Sequence, residues 1–362
     1  MQVDGYNTKS NYGRRNNTVQ GLRGFACAMV FLSHTFGMIP EEIKRGIIFR
    51  WQPLHFFYDG KIAVGIFWIL SGYFIQKNMP VLSIKKYSIY LVKRFSRLYP
   101  LYFASLFAGT LFCNMGLEFE PQYLSHWIAQ FWNQPVDVKC FVEQIFLRGD
   151  FNTINPPVWT MKYEFNMVIF LPLIIGMTTI IFCRGKSLFY ILLSIVIIGG
   201  GIFPIIEITA LPYYFLGVLI FVNEAWIKKC IKGKKQIMIC CIGIFLMDSN
   251  NIFPGVLGGA VMEYIAAIGS CLCIVVCLYG DLFDKILGRS FLVQLGNLSY
   301  EIYLFHFIVL LVMRSFIPQI NNWAVSIIGA FIISCFIAYL LHRIHVPYIA
   351  WRLREHPDEV TK

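Results

Sequence analysis

Residues 323–343 read WAVSIIGAFIISCFIAYLLHR, a nearly continuous apolar run closed by a basic residue. About 20 residues of this kind is the length an α-helix needs to cross the hydrocarbon core of a bilayer, and is far longer than an ordinary strand. Working outward, runs of the same character recur at 22–39, 61–79, 96–115, 158–182, 187–206, 211–225, 236–250, 261–280 and 295–317. The sixth and seventh runs are short or interrupted by proline and glycine. The pattern predicts an all-α, polytopic membrane protein of about ten transmembrane helices. A composition 57% hydrophobic and only 14% charged excludes a disordered chain, a collagen-like fibre and a secreted disulfide scaffold.

The net charge of +11 raises the question of an anionic partner. With the polar start of the chain on the cytoplasmic side, 23 of the 31 lysines and arginines fall inside, seven fall outside and Lys162 lies within a run. This is the asymmetry of the positive-inside rule, so both termini are expected to be cytoplasmic and no nucleic-acid partner is needed. The first 20 residues are polar and the first apolar run is long enough to stay in the membrane, so no cleavable signal peptide is expected.

The organisation expected is a cytoplasmic segment over 1–21, a membrane domain over 22–343 and a cytoplasmic tail over 344–362. The longest connection, 116–157, mixes Trp127, Phe131, Trp132 and Phe141 with prolines and a few charges. That mixture fits an amphipathic or re-entrant element at the outer interface, and equally a folded loop. Cys113 and Cys140 both fall on the outer side, where a disulfide between them is allowed. Cys240, Cys241, Cys271, Cys273 and Cys277 lack the spacing of a four-ligand metal site and read as apolar packing. A Walker A loop, a dinucleotide fingerprint, a GxSxG elbow and an HExxH helix are all absent from the sequence.

Ionisable groups inside a span are costly, so each is a functional candidate. Arg23 and His34 lie eleven positions apart, close to three helical turns, on one face and about 16 Å apart along the axis. One helix then carries an anion hook near the cytosol and a titratable base in the outer half. The same spacing suits a structural histidine hydrogen-bonded between helices, and the choice is open on spacing alone. Glu164, behind Asn155-Pro156-Pro157, is placed about 10 Å below the outer boundary, level with His34, where a carboxylate orients an imidazole. Pairing with Lys162 is the structural alternative.

At the inner mouth of the third run, Arg94 and Arg97 sit three apart beside Lys85, Lys86 and Lys93, a cradle for cytoplasmic phosphates or an anchor for lipid headgroups. Ser71-Gly72 allows close helix approach. His306 falls near mid-membrane on a helix with Tyr300 and Tyr303 and suggests a polar cavity, with a structural hydrogen bond as the plainer reading.

Taken in order, Gly21-Leu22-Arg23-Gly24 through Leu32-Ser33-His34, Phe67 to Phe74, Arg94-Phe95-Ser96-Arg97-Leu98-Tyr99-Pro100, Pro157 to Phe165 and Leu298 to His306 resemble the membrane-bound acyltransferase family 3. Each motif alone is weak, but their order and spacing over about residues 20 to 343 make the set specific. The chain departs from many members in having one glutamate, Glu164, followed by Phe165, and in Lys162 and Glu301. It also resembles the stand-alone members, without a fused serine-esterase-like domain.

The resemblance implies an O-acyltransferase of the bacterial cytoplasmic (inner) membrane. It would move an acyl group, most often acetyl, from cytoplasmic acyl-coenzyme A to a hydroxyl of an extracytoplasmic carbohydrate such as O-antigen, capsule or exopolysaccharide. On this reading acetyl-coenzyme A is the donor substrate and no cofactor or metal is bound. His34 and Glu164 are catalytic, Arg23, Arg94 and Arg97 bind the donor, and Ser71, Tyr163, Tyr303 and His306 line the site. His34 acts as general base or holds the acyl group itself. Acyl-coenzyme A, the carbohydrate and membrane lipids are the expected partners, and the oligomeric state is left open. The competing class is a transporter or flippase for a glycan-linked substrate, with His34 and Glu164 as relay groups. The lack of an internal repeat weakens that class.

Overall fold

The computed structural model describes residues 4–44, 55–78, 83–120, 124–184, 210–253, 255–256, 259–316 and 323–354. Among these residues every regular element is a helix. The principal helices are α1 (Asp4–Met38), α2 (Gly60–Asn78), α3 (Ile84–Asn114), α4 (Val138–Ile145), α5 (Trp159–Arg184) and α6 (Leu211–Val222). After these come α7 (Lys235–Met247), α8 (Gly259–Tyr279), α9 (Ser290–Asn297), α10 (Ser299–Met313) and α11 (Trp323–Arg354).

Among the described residues three stretches are long and apolar enough to cross a membrane: Val261–Tyr279, Ser299–Phe316 and Val325–Ala350. They coincide with the last three runs expected from sequence. The sixth and seventh runs fall on α6, with 12 residues, and α7, with 13, both short of the roughly 20 a perpendicular crossing needs. The fifth run, 187–206, lies outside the described residues.

Local sequence sets several helix starts. Asp59 Oδ1 accepts the free N–H groups of Lys61 and Ile62 at 2.9 and 3.1 Å and so begins α2. Asp137 caps α4 through Cys140 N at 2.7 Å. Pro156 and Pro157 open a single 3-10 turn that leads into α5, using proline where its missing N–H costs nothing.

The described residues form two compact units. The first comprises 1–29, 51–83 and 169–297. In it α2 packs closely on α6, where a Cβ at Gly72 would stand 2.1 Å from Tyr214 O and one at Gly217 would stand 2.0 Å from Ile69 O. Backbone meets backbone there, as glycine permits between membrane helices. Gly217→Val is therefore expected to cost at least about 3 kcal/mol by overpacking. Thermal unfolding in detergent tests this, and an unchanged midpoint would show that the helices are free to part.

The second unit comprises 30–50, 84–168 and 298–362, so α1 and α5 each contribute to both. α10 is its centre, with 67% of its apolar window buried, whereas α11 buries 22%. α11 turns Val325, Ile328, Ile332 and Phe336 outward at helical spacing, the face of a helix that meets lipid. The core gathers Tyr102 and Leu106 of α3, Ile154, Val158, Phe165 of α5, and Leu304 and Ile308 of α10. A second cluster joins Phe31, Ile128, Phe131, Phe307 and Leu310.

Candidate active site

The second unit brings two imidazoles together. His34 Nδ1 lies 2.9 Å from His306 Nε2, a hydrogen bond across 272 positions of sequence. His306 is 1% exposed, whereas His34 is half-buried and keeps accessible surface. The other nitrogen of His306, Nδ1, lies 2.8 Å from Tyr303 O and 3.0 Å from Ile302 O. Carbonyl oxygens only accept, so Nδ1 of His306 carries its proton and Nε2 offers a lone pair. With both rings neutral, His34 must donate from Nδ1. Its Nε2 is then left unprotonated, with a lone pair directed away from His306.

Aromatic rings hold this imidazole in place. Trp127 stacks on His34 with centroids 5.9 Å apart and planes 7° from parallel, and Phe307 meets it edge-on at 5.1 Å. Trp127 belongs to the long segment between α3 and α5, and Ser125 fastens that segment to the end of α1. The Ser125 hydroxyl donates to Gly37 O, its N–H donates to Met38 O at 3.0 Å, and its Oγ caps the short helix His126–Ala129. Glycine at 37 makes room, since a Cβ there would come within 2.5 Å of the Trp127 ring.

The segment between α3 and α5 also enters the protein interior. Asn155 is fully buried and donates to Leu304 O at 2.8 Å, while Tyr303 donates its hydroxyl to Pro157 O at 2.5 Å and meets Thr160 Oγ1. α5 therefore starts beside residues 303 and 304 of α10, inside the protein. Non-helical backbone is tolerated there because its polar groups find partners.

This corrects the depth expected for Glu164. The sequence estimate assumed that α5 begins at the outer boundary. Starting deeper, α5 carries Glu164 into the charged surroundings of Arg97, Tyr300 and Tyr90. Tyr300 and His306 are six residues apart on α10, about 9 Å along the axis. The carboxylate expected to orient His34 thus stands among the arginines, and the partner that His34 meets is His306.

Arg94 and Arg97 are neighbours on α3, Arg97 exposed and Arg94 half-buried against the Tyr90 ring. The acidic groups acting on Arg97 are Glu301 and Glu164. Tyr300 donates to Leu98 O at 2.6 Å and ties α10 to α3 beside Arg97. Glu301 is 4% exposed and pairs with His342 Nδ1 at 2.8 Å.

Among the other residues singled out from sequence, Tyr163 is buried and packs edge-on against Trp159 at 5.5 Å. Arg23 and Ser71 lie in the first unit, both half-buried, with Arg23 Nη1 3.4 Å from Gln20 Oε1. Three participants escaped sequence reading: Trp127, His342, and Glu301 as a buried partner. An ionisable residue within an apolar run was the available signal for His342.

The disulfide allowed from sequence is not formed. Cys113 and Cys140 are free thiols; Cys113 Sγ points to Gln134 O at 3.3 Å, and Cys140 Sγ takes a contact from Gln144 Nε2.

No curated protein and no solved structure shows detectable similarity to this chain. A family model described as an acyltransferase domain, that of acyltransferase family 3, matches residues 16–343. The match runs from α1 to α11 and takes in both histidines of the pair, the two arginines of α3 and the start of α5. The chain belongs to the membrane-bound acyltransferase family 3.

Proposed function

We propose that this acyltransferase moves an acyl group, acetyl in the first instance, from cytoplasmic acyl-coenzyme A to a hydroxyl of a carbohydrate on the outer side of a bacterial cytoplasmic membrane. The observation that carries the reading is the lone pair left on His34 Nε2 by the chain of hydrogen bonds through His306. In that state His34 takes the proton of the acceptor hydroxyl as its oxygen attacks the thioester carbon. The carbon–sulfur bond then breaks, and coenzyme A leaves as the thiol with that proton. A two-step route uses the same lone pair: Nε2 attacks the thioester first, and the acyl group passes from the ring to the hydroxyl. Acyl-coenzyme A is a substrate in both routes.

The donor side of the proposal rests on Arg94 and Arg97. An exposed guanidinium next to a second one suits the phosphates of coenzyme A, and the buried carboxylate of Glu301 adds its charge near Arg97. The excess of basic residues on the side of the chain's start supports a cytoplasmic donor and cytoplasmic termini, with about ten crossings. Arg97→Ala is expected to raise the acyl-coenzyme A concentration for half-maximal rate about tenfold, and Arg97→Lys to recover only part of the loss. A change confined to acceptor dependence would count against this cradle.

Mass spectrometry of surface glycans from cells with and without the chain tests the function itself. Acyl groups missing only from the deleted cells are the expected result; identical glycans would remove the assignment.

A further inference from the structure

Within the second unit, the segment between α3 and α5 encloses a cavity of about 370 Å³. Its walls come from two short stretches, 130–134 and 150–153. Four carboxamides, those of Gln130, Asn133, Gln134 and Asn152, line it together with the Asp150 carboxylate and the Thr153 hydroxyl. Phe131, whose ring packs in the core, and the half-buried Trp132 complete the lining. We propose that this cavity is a saccharide-binding subsite that presents the acceptor to His34; the inference rests on the acyl-transfer reading above.

The chemistry of the lining selects the ligand. A sugar hydroxyl both donates and accepts, and a carboxamide does the same, so four of them match several hydroxyls at once. A carboxylate accepts from two neighbouring hydroxyls, and an aromatic face packs on the C–H face of a pyranose ring. Lysine, arginine and histidine are missing from the described lining, which disfavours an anion, and aliphatic side chains are missing too, which disfavours an acyl chain. The volume falls in the usual range for small-ligand sites, about 300–1,000 Å³. Gln130, Asn133, Gln134, Asp150 and Asn152 are exposed, so the cavity opens to the outer solution, as a segment of a longer glycan requires.

The site is built in advance of any ligand. Arg314, 2% exposed, donates from Nη1 to Phe131 O at 2.7 Å and Ile128 O at 3.1 Å, and its guanidinium lies 3.8 Å from the Phe119 ring centroid. Gln144 donates to Asp150 O at 2.8 Å, and Asp150 Oδ1 accepts from Asn152 N at 2.9 Å, which orients the carboxylate. Trp132 donates from Nε1 to Ile154 O at 2.9 Å, so its polar edge is satisfied inward. Trp132 has φ +55°, a left-handed conformation that a bulky side chain rarely adopts. Strain of this kind persists where the surroundings fix it and clusters at ligand sites.

The cavity adjoins the imidazole pair. The Phe131 ring meets Trp127 edge-on at 5.3 Å, and Trp127 is the ring stacked on His34. A saccharide held beside Phe131 is thus separated from the base by two ring contacts, Phe131 on Trp127 and Trp127 on His34, a gap that a glycan extending beyond the cavity spans.

The test uses the full chain in nanodiscs, radiolabelled acetyl-coenzyme A, and surface glycan extracted from source cells deleted for this chain. Asp150→Ala with Asn152→Ala removes an exposed carboxylate and an exposed carboxamide and leaves the packed core untouched. The expected result is a rise of about tenfold in the glycan concentration for half-maximal rate, with the donor requirement and the maximal rate within about twofold of wild type. An unchanged glycan requirement, with the wild type active, would overturn the subsite. If the wild type itself transfers no label, the acyl-transfer reading fails. Saturation transfer from protein to the same glycan then decides the subsite alone: a signal lost in the double variant supports it, and a signal retained or never seen overturns it.

Discussion

His34→Ala is expected to lower acyl transfer by about 10³-fold, to no detectable product, with protein level and membrane insertion unchanged. The size follows from the position of the ring. General-base catalysis supplies about 10²- to 10⁴-fold, and a covalent route through the same nitrogen loses as much or more. Structure is expected to survive because the ring is half-buried and its removal leaves Phe307 and Trp127 in contact with each other at 5.7 Å. Product formation is read as acyl groups on the glycan, and the amount of folded chain by size-exclusion chromatography of the solubilised protein. Wild-type product in this variant would take His34 out of the chemistry altogether.

The second large effect falls on a residue that touches the reaction only through another. His306→Ala removes the acceptor of the His34 Nδ1–H and frees the ring to turn and to change tautomer. A loss of about 10- to 10²-fold in kcat is expected, the usual penalty for a supporting shell that orients a reactive imidazole. The loss is smaller than for His34 because the backbone of Val30, one turn earlier on α1, also bonds the His34 ring. His306→Gln restores an acceptor at nearly the same reach and is expected to recover much of the rate. KM for acyl-coenzyme A and for glycan is expected to change little in either variant. A merely structural His306 would show no preference for glutamine over alanine, and its loss would follow the thermal midpoint of the variant.

Much of this was legible in the amino-acid sequence. Length and apolar content predict helices crossing a bilayer, and Val261–Tyr279, Ser299–Phe316 and Val325–Ala350 meet that expectation. Ser71-Gly72 advertised a close helix contact, which α2 and α6 make through Gly72 and Gly217. Spacing on one helix identifies which residues share a face, but it is silent on what the face meets. His34 and His306 each stood out alone, and their pairing across the fold was not readable from periodicity.

Glu164 shows a different failure. Counting 1.5 Å per residue is sound only from a known starting height, and α5 starts inside the protein because the segment before it descends to Leu304. The same segment carried Trp127 and Trp132, whose aromatic character was visible and whose positions over His34 and beside the cavity were not. Glu301 stood out as a departure and His342 did not, because nothing in the spacing along two helices brings together two groups 41 positions apart.

In the proposed reaction one imidazole, that of His34, serves the transfer of an acyl group from a cytoplasmic thioester to an outer-side sugar by either route. Inverted membrane vesicles, with the cytoplasmic face outward and acceptor glycan sealed inside, test it most directly. Radiolabelled acetyl-coenzyme A is added to the bath and the glycan is recovered. Label on the glycan is expected with wild-type chain and none with His34→Ala. Glycan carried across the vesicle membrane without label, equally by both proteins, would contradict it.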